Sequence, residues 1–544
     1  MSSRNLAVLA LALVATVTLA GDLLAEGPAA QPAADWAQWR GPQRDGTAGA
    51  SPALSTNLPV KGPVKIWESE KIPTYNDGGL GSVAVAGGAA VIYSNWKYRD
   101  PILTRTLNDD GLRQLGWLPE KPPEDLLTAM ETTRLSDERA ALPPDQVNAW
   151  VDKWLAEHIQ NEDLKKKFWG YAQDRLRKGR AAMDWTVIDK LVAIRNKTFA
   201  TQPEMETWLK DNGFEDKAKA DVLRVVPTTV EKANDVVLCF DAATGAVKWR
   251  AQLPAEPRGW DNSATPCLAD GRCYILATGG QLLCLDMKDG SVLWKGKAAA
   301  GSGSSSAAVL DGRVYVVAGG LMAFDAADGS VLWKQPAVGH SHASPVFWRK
   351  DDRVYILCNS GNELACVAPA DGAVLWKTAP GGNNSTPVVS GDFAVVQGEG
   401  SGLTAYRLAP DKAEKLWNMA HNDRGSSPVI RDGYVYVLSG GGGMKAMCVK
   451  LESGQVAWEE KLPNTEIGSP ILADGKLLSL INGGKELYML AATPEKYALL
   501  AKTTVDAANC TSPAIVCGKL YLRTNQGVAC YDLTQSAAPA PTAQ

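Results

Sequence analysis

Leu283-Cys284-Leu285-Asp286-Met287-Lys288-Asp289-Gly290-Ser291-Val292-Leu293-Trp294 reads as two short strands and the turn that joins them. Leu283, Leu285, Val292 and Trp294 alternate as apolar residues, and Asp289-Gly290 supplies the positive-φ chemistry of a tight hairpin. The same text returns as Leu238-Cys239-Phe240-Asp241 … Thr244-Gly245 … Trp249 and as Met322-Ala323-Phe324-Asp325 … Asp328-Gly329 … Trp333. More divergent copies are Ala365-Cys366 … Gly372 … Trp376, Ala405-Tyr406 … Trp417 and Met447-Cys448 … Gly454 … Trp458. Successive tryptophans in this slot stand 45, 39, 43, 41 and 41 residues apart. A period of about 40 made only of strands and turns indicates radially arranged sheets rather than a helical solenoid.

A second signature precedes each hairpin. Thr265-Pro266, Ser344-Pro345, Thr386-Pro387, Ser427-Pro428, Ser469-Pro470 and Ser512-Pro513 each open an apolar strand, with weaker copies at Gly81-Ser82-Val83 and Ser305-Ser306-Ala307. Each unit therefore holds four strands, A to D, and eight units are expected. The last ends at Cys530-Tyr531-Asp532-Leu533 without a fourth strand, while Val64-Lys65-Ile66-Trp67-Glu68 is spare near the start. Pairing the two closes the ring and removes both free edges. The expected fold is an all-β, eight-bladed propeller, with seven blades as the alternative count.

The pattern Ala/Cys-x-Asp-x-x-Thr/Asp-Gly-x-x-x-Trp resembles the tryptophan-docking repeat of the pyrroloquinoline-quinone (PQQ)-type propellers. That superfamily includes quinoprotein alcohol dehydrogenases and the non-enzymatic outer-membrane assembly factor BamB. The resemblance covers Val64–Asn95 and Asp235–Leu533. The segment Asp35-Trp36-Ala37-Gln38-Trp39-Arg40-Gly41-Pro42 … Arg44-Asp45-Gly46 resembles the lead-in before such propellers. Fold alone does not assign function, so the site is argued from its residues.

Residues 1–25 read as a signal peptide: Arg4 supplies charge, Leu6–Leu19 is an apolar run, and small residues at Thr18 and Ala20 suit cleavage, with Ala25 as a second candidate. No cysteine precedes Cys239, so the lipid-attachment box of a lipoprotein is missing, a departure from BamB. The expected location is periplasmic or secreted, without a transmembrane span. Residues 26–63 form the lead-in, 64–95 and 235–533 the propeller, 96–234 a separate region, and 534–544 a disordered tail. A net charge of −4 gives no global attraction to nucleic acid. Ten cysteines in an exported chain raise the question of disulfides. Cys239, Cys284, Cys366, Cys448 and Cys530 share one repeat slot with Ala323 and Ala405, which marks a small buried group and core thiols. Cys267 and Cys273 flank Asp270-Gly271 and are left open as a bridge or two thiols.

Between Trp96 and Asn234 the repeat stops. Val147, Trp150, Val151, Trp154 and Leu155 make one helical stripe, and Leu164–Lys178, Trp185–Asn196, Glu204–Lys210 and Asp216–Val225 are further helices. This helical insertion takes the place of a B–C turn in blade one. It is expected on the face where every D–A loop emerges. Those loops carry Asn76, Asp77, Trp260, Asp261, Asn262, His340, His342, Asn383, Asn384, Asp423, Arg424, Glu466 and Asn509, which are expected to ring a capped, polar channel mouth. The B–C turns there are glycine-rich, as at Gly279-Gly280 and Gly319-Gly320, so a ligand can approach the backbone.

His340-x-His342 has metal-site spacing, but no third ligand is fixed by it, and no metal is assigned. Asp261, Asp423 and Glu466 suit either calcium and general-base chemistry or local capping of turns. The basic stretch Lys165-Lys166-Lys167 with Arg175, Arg177, Lys178 and Arg180 reads as a solvated helix face. The leading function is a non-catalytic module that binds a protein partner or small molecule at the mouth. The alternative is a PQQ- and calcium-dependent alcohol or sugar dehydrogenase, against which stands the absence of any adjacent cysteine pair.

Overall fold

The computed structural model describes residues 35–259, 262–299, 304–339, 342–438, 444–463 and 468–535; the expected signal peptide and most of the expected tail lie outside them. The chain is a β-propeller protein, built from eight four-stranded antiparallel sheets and one two-stranded sheet. Sheet 1 comprises Ala84–Ala86, Ala89–Pro101, Thr229–Asp241 and Val247–Ala255. Sheets 2 to 7 span 267–297, 308–335, 346–378, 388–419, 429–461 and 471–504. Sheet 8 takes three strands from 514–532 and its fourth from Val64–Glu68, which pairs Val64 with Asp532 and Trp67 with Cys530. The spare early strand thus completes the last sheet.

The repeat text has a packing reason. Each tryptophan of strand D lies directly across from the small residue of strand C: Cys239 faces Trp249, Cys284 faces Trp294, Ala323 faces Trp333 and Cys448 faces Trp458. Only a small side chain leaves room for the indole to turn toward the next sheet. There its Nε1 donates to a carbonyl: Trp67 to Ala242 at 3.0 Å, Trp249 to Met287 at 2.8 Å, Trp294 to Ala326 at 3.0 Å and Trp417 to Leu451 at 2.7 Å. Trp333, Trp376 and Trp458 do the same onto Pro369, Ala409 and Thr493. The turn glycine receives the ring: a Cβ on Gly329, held at φ +76, would meet Trp294 at 2.3 Å, and Gly245, Gly290, Gly372 and Gly454 are filled in the same way by Trp67, Trp249, Trp333 and Trp417. In sheet 7, Ala501 stands across from Met489 where the tryptophan would be.

All ten cysteines are free thiols. Cys267 pairs with Tyr274 across the sheet while Cys273 pairs with Leu268, so their side chains leave opposite faces and enter different cores. A bridge between them is ruled out by that register. The shared-slot thiols are buried as expected, and burial pushes Cys239, Cys284, Cys448 and Cys530 up to about 11.

Strands B and C of sheet 1 do not stop at Tyr93 and Val236. They continue as a two-stranded ribbon, paired without a break to Pro101 and Thr229. The helices begin beyond it: Asp109–Leu115, Glu124–Leu135, Asp137–Ala141, Val147–His158, Glu162–Lys178, Trp185–Val192, Gln202–Asp211 and Asp216–Val225. The first three lacked a long apolar stripe and escaped the sequence reading. Two apolar cores, around Leu112, Ile188 and Leu209 and around Met130, Leu155 and Phe168, serve this region alone. Between them Arg134, fully buried, donates to Glu131 at 2.6 and 2.9 Å and pairs with Asp184, while Arg175 reaches Glu131 at 2.7 Å. Arg175 therefore belongs to a buried network and not to a solvated basic face. No described helix is long and apolar enough to cross a membrane.

Candidate functional site

The Ser/Thr of each strand-opening motif explains how the sheets meet at the axis. Ser82 N donates to Thr265 Oγ1, Thr265 N to Ser306 Oγ and Ser306 N to Ser344 Oγ, each at 3.0 Å. Further round, Thr386 N donates to Ser427 Oγ, Ser427 N to Ser469 Oγ, Ser469 N to Ser512 Oγ, and Ser512 N back to Ser82 Oγ, at 2.9–3.0 Å. Strand A has no inner neighbour in its own sheet, and these hydroxyls satisfy amides that would otherwise be buried without partners. At the remaining junction Thr386 Oγ1 accepts from Trp39 Nε1 at 3.1 Å.

Trp39 belongs to the lead-in, which crosses the axis and floors the channel. Trp36 bridges to Val85 of sheet 1, Ala37 O accepts from Leu268 N of sheet 2, and Gly46 and Ala48 bond Leu472 of sheet 7. Arg40 donates to the carbonyls of Ser427 at 2.8 Å and Pro428 at 2.5 Å, and Arg44 to those of Ala307 at 2.8 Å and Ser306 at 3.1 Å. Both guanidiniums are 1% exposed. Burial pulls each down to about 10, which still leaves both charged at neutral pH. Opposing carbonyl dipoles compensate them, so the floor is tied to sheets 3 and 6 by charge-assisted hydrogen bonds.

Above the floor lies a cavity of about 470 Å³. Its walls are Ser306, Ser344 and Thr386 of the hydroxyl circuit, and its rim carries Ser263, His342, Asn384, Arg424 and Asn509. Ser263 Oγ lies 3.4 Å from His342 Nδ1, and Asn384 Nδ2 lies 3.5 Å from Arg424 O. Glu399, Tyr75, Leu80 and Cys510 complete the side. The cavity is therefore polar at the sides and aromatic below, with exposed charges of both signs at the top.

Of the residues singled out from sequence, His342, Asn384, Arg424 and Asn509 come together on this cavity. Asn383 turns away, donating to Glu399 O at 3.1 Å. Asn262 is buried beside the rim, with its carbonyl accepting from Leu80 N at 2.7 Å. Asn76 and Asp77 are exposed in a turn against the ribbon, where Lys97 N donates to Asp77 O at 2.9 Å. Asp423 is fully buried, and its carboxylate accepts from Gly425 N, Ser426 N and Ser426 Oγ at 2.7–2.8 Å. It braces the turn that presents Arg424, which is the capping role. Trp260, Asp261, His340 and Glu466 lie outside the described residues.

Sequence reasoning missed Trp39, Tyr75, Ser306, Ser344 and Thr386 as lining residues. The signal was present, because a hydroxyl recurring at the opening of every strand A, one residue before Pro in six of the eight, has to face a neighbouring sheet. The ribbon leaves on this same face: Asn95 Oδ1 accepts from Arg258 N at 2.7 Å and Gly259 N at 3.3 Å in the D–A loop of sheet 1. The cavity lining includes no residue of 102–228.

Calcium has no donor set among the described residues. No group of three or more His, Cys, Asp or Glu stands within reach of one ion, and the cavity offers one carboxylate, Glu399.

The model of the family described as outer membrane protein assembly factor BamB matches residues 232–361 and 318–538. Among solved structures, BamB from Moraxella catarrhalis is 14% identical with a TM-score of 0.45, covering 55% of this chain and 92% of that one. Quinohemoprotein alcohol dehydrogenase from Comamonas testosteroni is 12% identical with a TM-score of 0.43, covering 57% and 74%. No curated protein matches the chain.

Proposed function

This chain belongs to the family of the outer membrane protein assembly factor BamB, and from that premise we propose that it is an exported, non-catalytic binding module. In this reading the eight sheets are the eight blades of one ring, and the helices between Pro101 and Thr229 are an insertion into the first. A protein partner or small molecule seats at the polar mouth, and the insertion, rising on its ribbon from the same face, limits access. The observation that carries the reading is the floored cavity: side chains from successive D–A loops converge on it, while the lead-in closes it below. A pocket with walls fixed by hydrogen bonds and exposed polar groups at its rim suits recognition.

The test uses the full chain carrying Arg424→Glu with Asn509→Arg, two exposed rim changes, beside Lys248→Glu on the outer strand of sheet 1. A ligand or partner retained by the wild type should be lost with the rim pair and kept with Lys248→Glu. Equal retention by both variants contradicts the mouth. Dye-linked alcohol oxidation on adding PQQ and calcium would replace the binding module with a dehydrogenase.

A further inference from the structure

A second cleft, of about 760 Å³, opens between sheets 5 and 6 and shares no lining residue with the channel. Its wall includes His421, Ser401, Asn418, Lys445, Glu459 and Lys461. His421 is only 8% exposed, yet among the described residues neither ring nitrogen has a hydrogen-bond partner, and the buried Ser401 Oγ has none either. Buried polar groups are ordinarily satisfied, and leaving one unpaired costs about 1–3 kcal/mol. Two such groups on one cleft mark a place prepared for an outside partner.

The charges give the partner's chemistry. Lys445 and Lys461 are direct cross-strand partners, so two ammonium groups share one face of the sheet, an arrangement that is ordinarily unfavourable. Glu459 compensates one of them through Lys445 at 3.1 Å. Lys461 makes no ion pair among the described residues. The cleft therefore presents one uncompensated cation at its edge. Deeper in, burial draws the His421 imidazole below its usual range, against the opposing pull of Asp423. A neutral imidazole donates from one nitrogen and accepts at the other, which is what a hydroxyl can answer. Asn418 is already engaged, donating to Thr404 Oγ1 at 2.7 Å and Ser401 O at 3.1 Å, so it holds the wall rather than the ligand.

We propose that this cleft binds a small hydroxylated carboxylate of the sugar-acid class, with the carboxylate on Lys461 and hydroxyls on His421 and Ser401. The volume falls within the range of small-molecule sites. The cleft shares no lining residue with the channel mouth, so the two sites stand or fall separately.

The chain has four histidines, so ¹⁵N-histidine labelling of the full-length protein gives a resolvable imidazole spectrum. Glucuronate and gluconate are titrated as probes, with glucose as the hydroxylated control lacking a carboxylate and acetate as the carboxylate lacking hydroxyls. The signal missing from His421→Gln should move saturably with at least one of the acids. That acid should bind at least about tenfold more tightly than either control, and Lys461→Ala, an exposed change, should weaken it by about tenfold or more. The channel variant Arg424→Glu should leave this titration unchanged. No movement with either acid, equal movement with glucose or acetate, or an affinity indifferent to Lys461→Ala overturns the proposal.

Discussion

The sheets and the helical region solve the same problem in opposite ways. Around the axis, most junctions repeat two modest contacts: an indole docked on the neighbouring sheet outside, in five cases against a turn glycine, and a hydroxyl–amide hydrogen bond inside. No single copy is unique, and the load is spread over the circuit. The helices at 109–225 have two small cores of their own, joined by one charge cluster in which buried Arg134 and Arg175 meet Glu131 and the exposed Asp184. Repetition makes the ring tolerant and readable. Singularity makes the helical region dependent on a few residues.

That contrast can be broken most directly at Glu131. Its replacement by Ala leaves Arg175 and most of Arg134 buried without their carboxylate, a loss of about 3–5 kcal/mol. The loss should be confined to the helices, with amide exchange accelerating in 109–225 and remaining slow in the strands. Simultaneous loosening of both regions would show that they are one cooperative unit.

Trp67 tests the ring. It joins the first strand of the chain to the last sheet and docks on Ala242 and Gly245 of sheet 1. Trp67→Ala should cost about 3–4 kcal/mol in denaturant unfolding, and exchange should rise first in sheets 8 and 1. An unchanged midpoint would mean that this closure contributes nothing.

Ser469→Ala probes one link of the inner circuit by leaving the Ser427 amide without its acceptor. A loss of about 1–2 kcal/mol is expected, visible as a shifted midpoint with an unchanged denaturant slope. The smallest effect lies at His421, which faces Asp423, Lys445 and Glu459. Burial lowers its proton affinity in the folded state, so the unfolded chain binds the proton more readily. Its stabilising contribution is present above the unfolded value of about 6.5 and declines as pH falls through the lower folded value. His421→Gln should therefore lose less stability than the wild type between pH 7.5 and 5.5, and parallel losses would contradict that.

The legibility of the sequence follows the same division. Asp-Gly and Ser-Gly turns, the Cys/Ala–Trp register and the Ser/Thr-Pro openings recur often enough for each copy to correct the others. The strand around Trp67 was legible because the last unit lacked its fourth strand. In the helical region only stripes such as Val147–Leu155 stood out, and Arg175 read as surface because its partner, Glu131, is remote in sequence. At the site, loop position alone brought His342, Asn384, Arg424 and Asn509 to the cavity. Asp423, two residues ahead of Gly425-Ser426, closes on its own turn and is not among the cavity-lining residues. Trp39 has no sequence signal for its place, since nothing local says that a lead-in crosses the axis.

Recognition at the mouth above Trp39, as proposed, is tested by differential hydrogen exchange of the full chain with and without the retained ligand or partner. New protection should appear at Tyr75–Leu80, Ser263, Asn384, Arg424–Gly425 and Asn509–Cys510. Protection confined to the outer strands around Lys248, with the mouth unaltered, would contradict it.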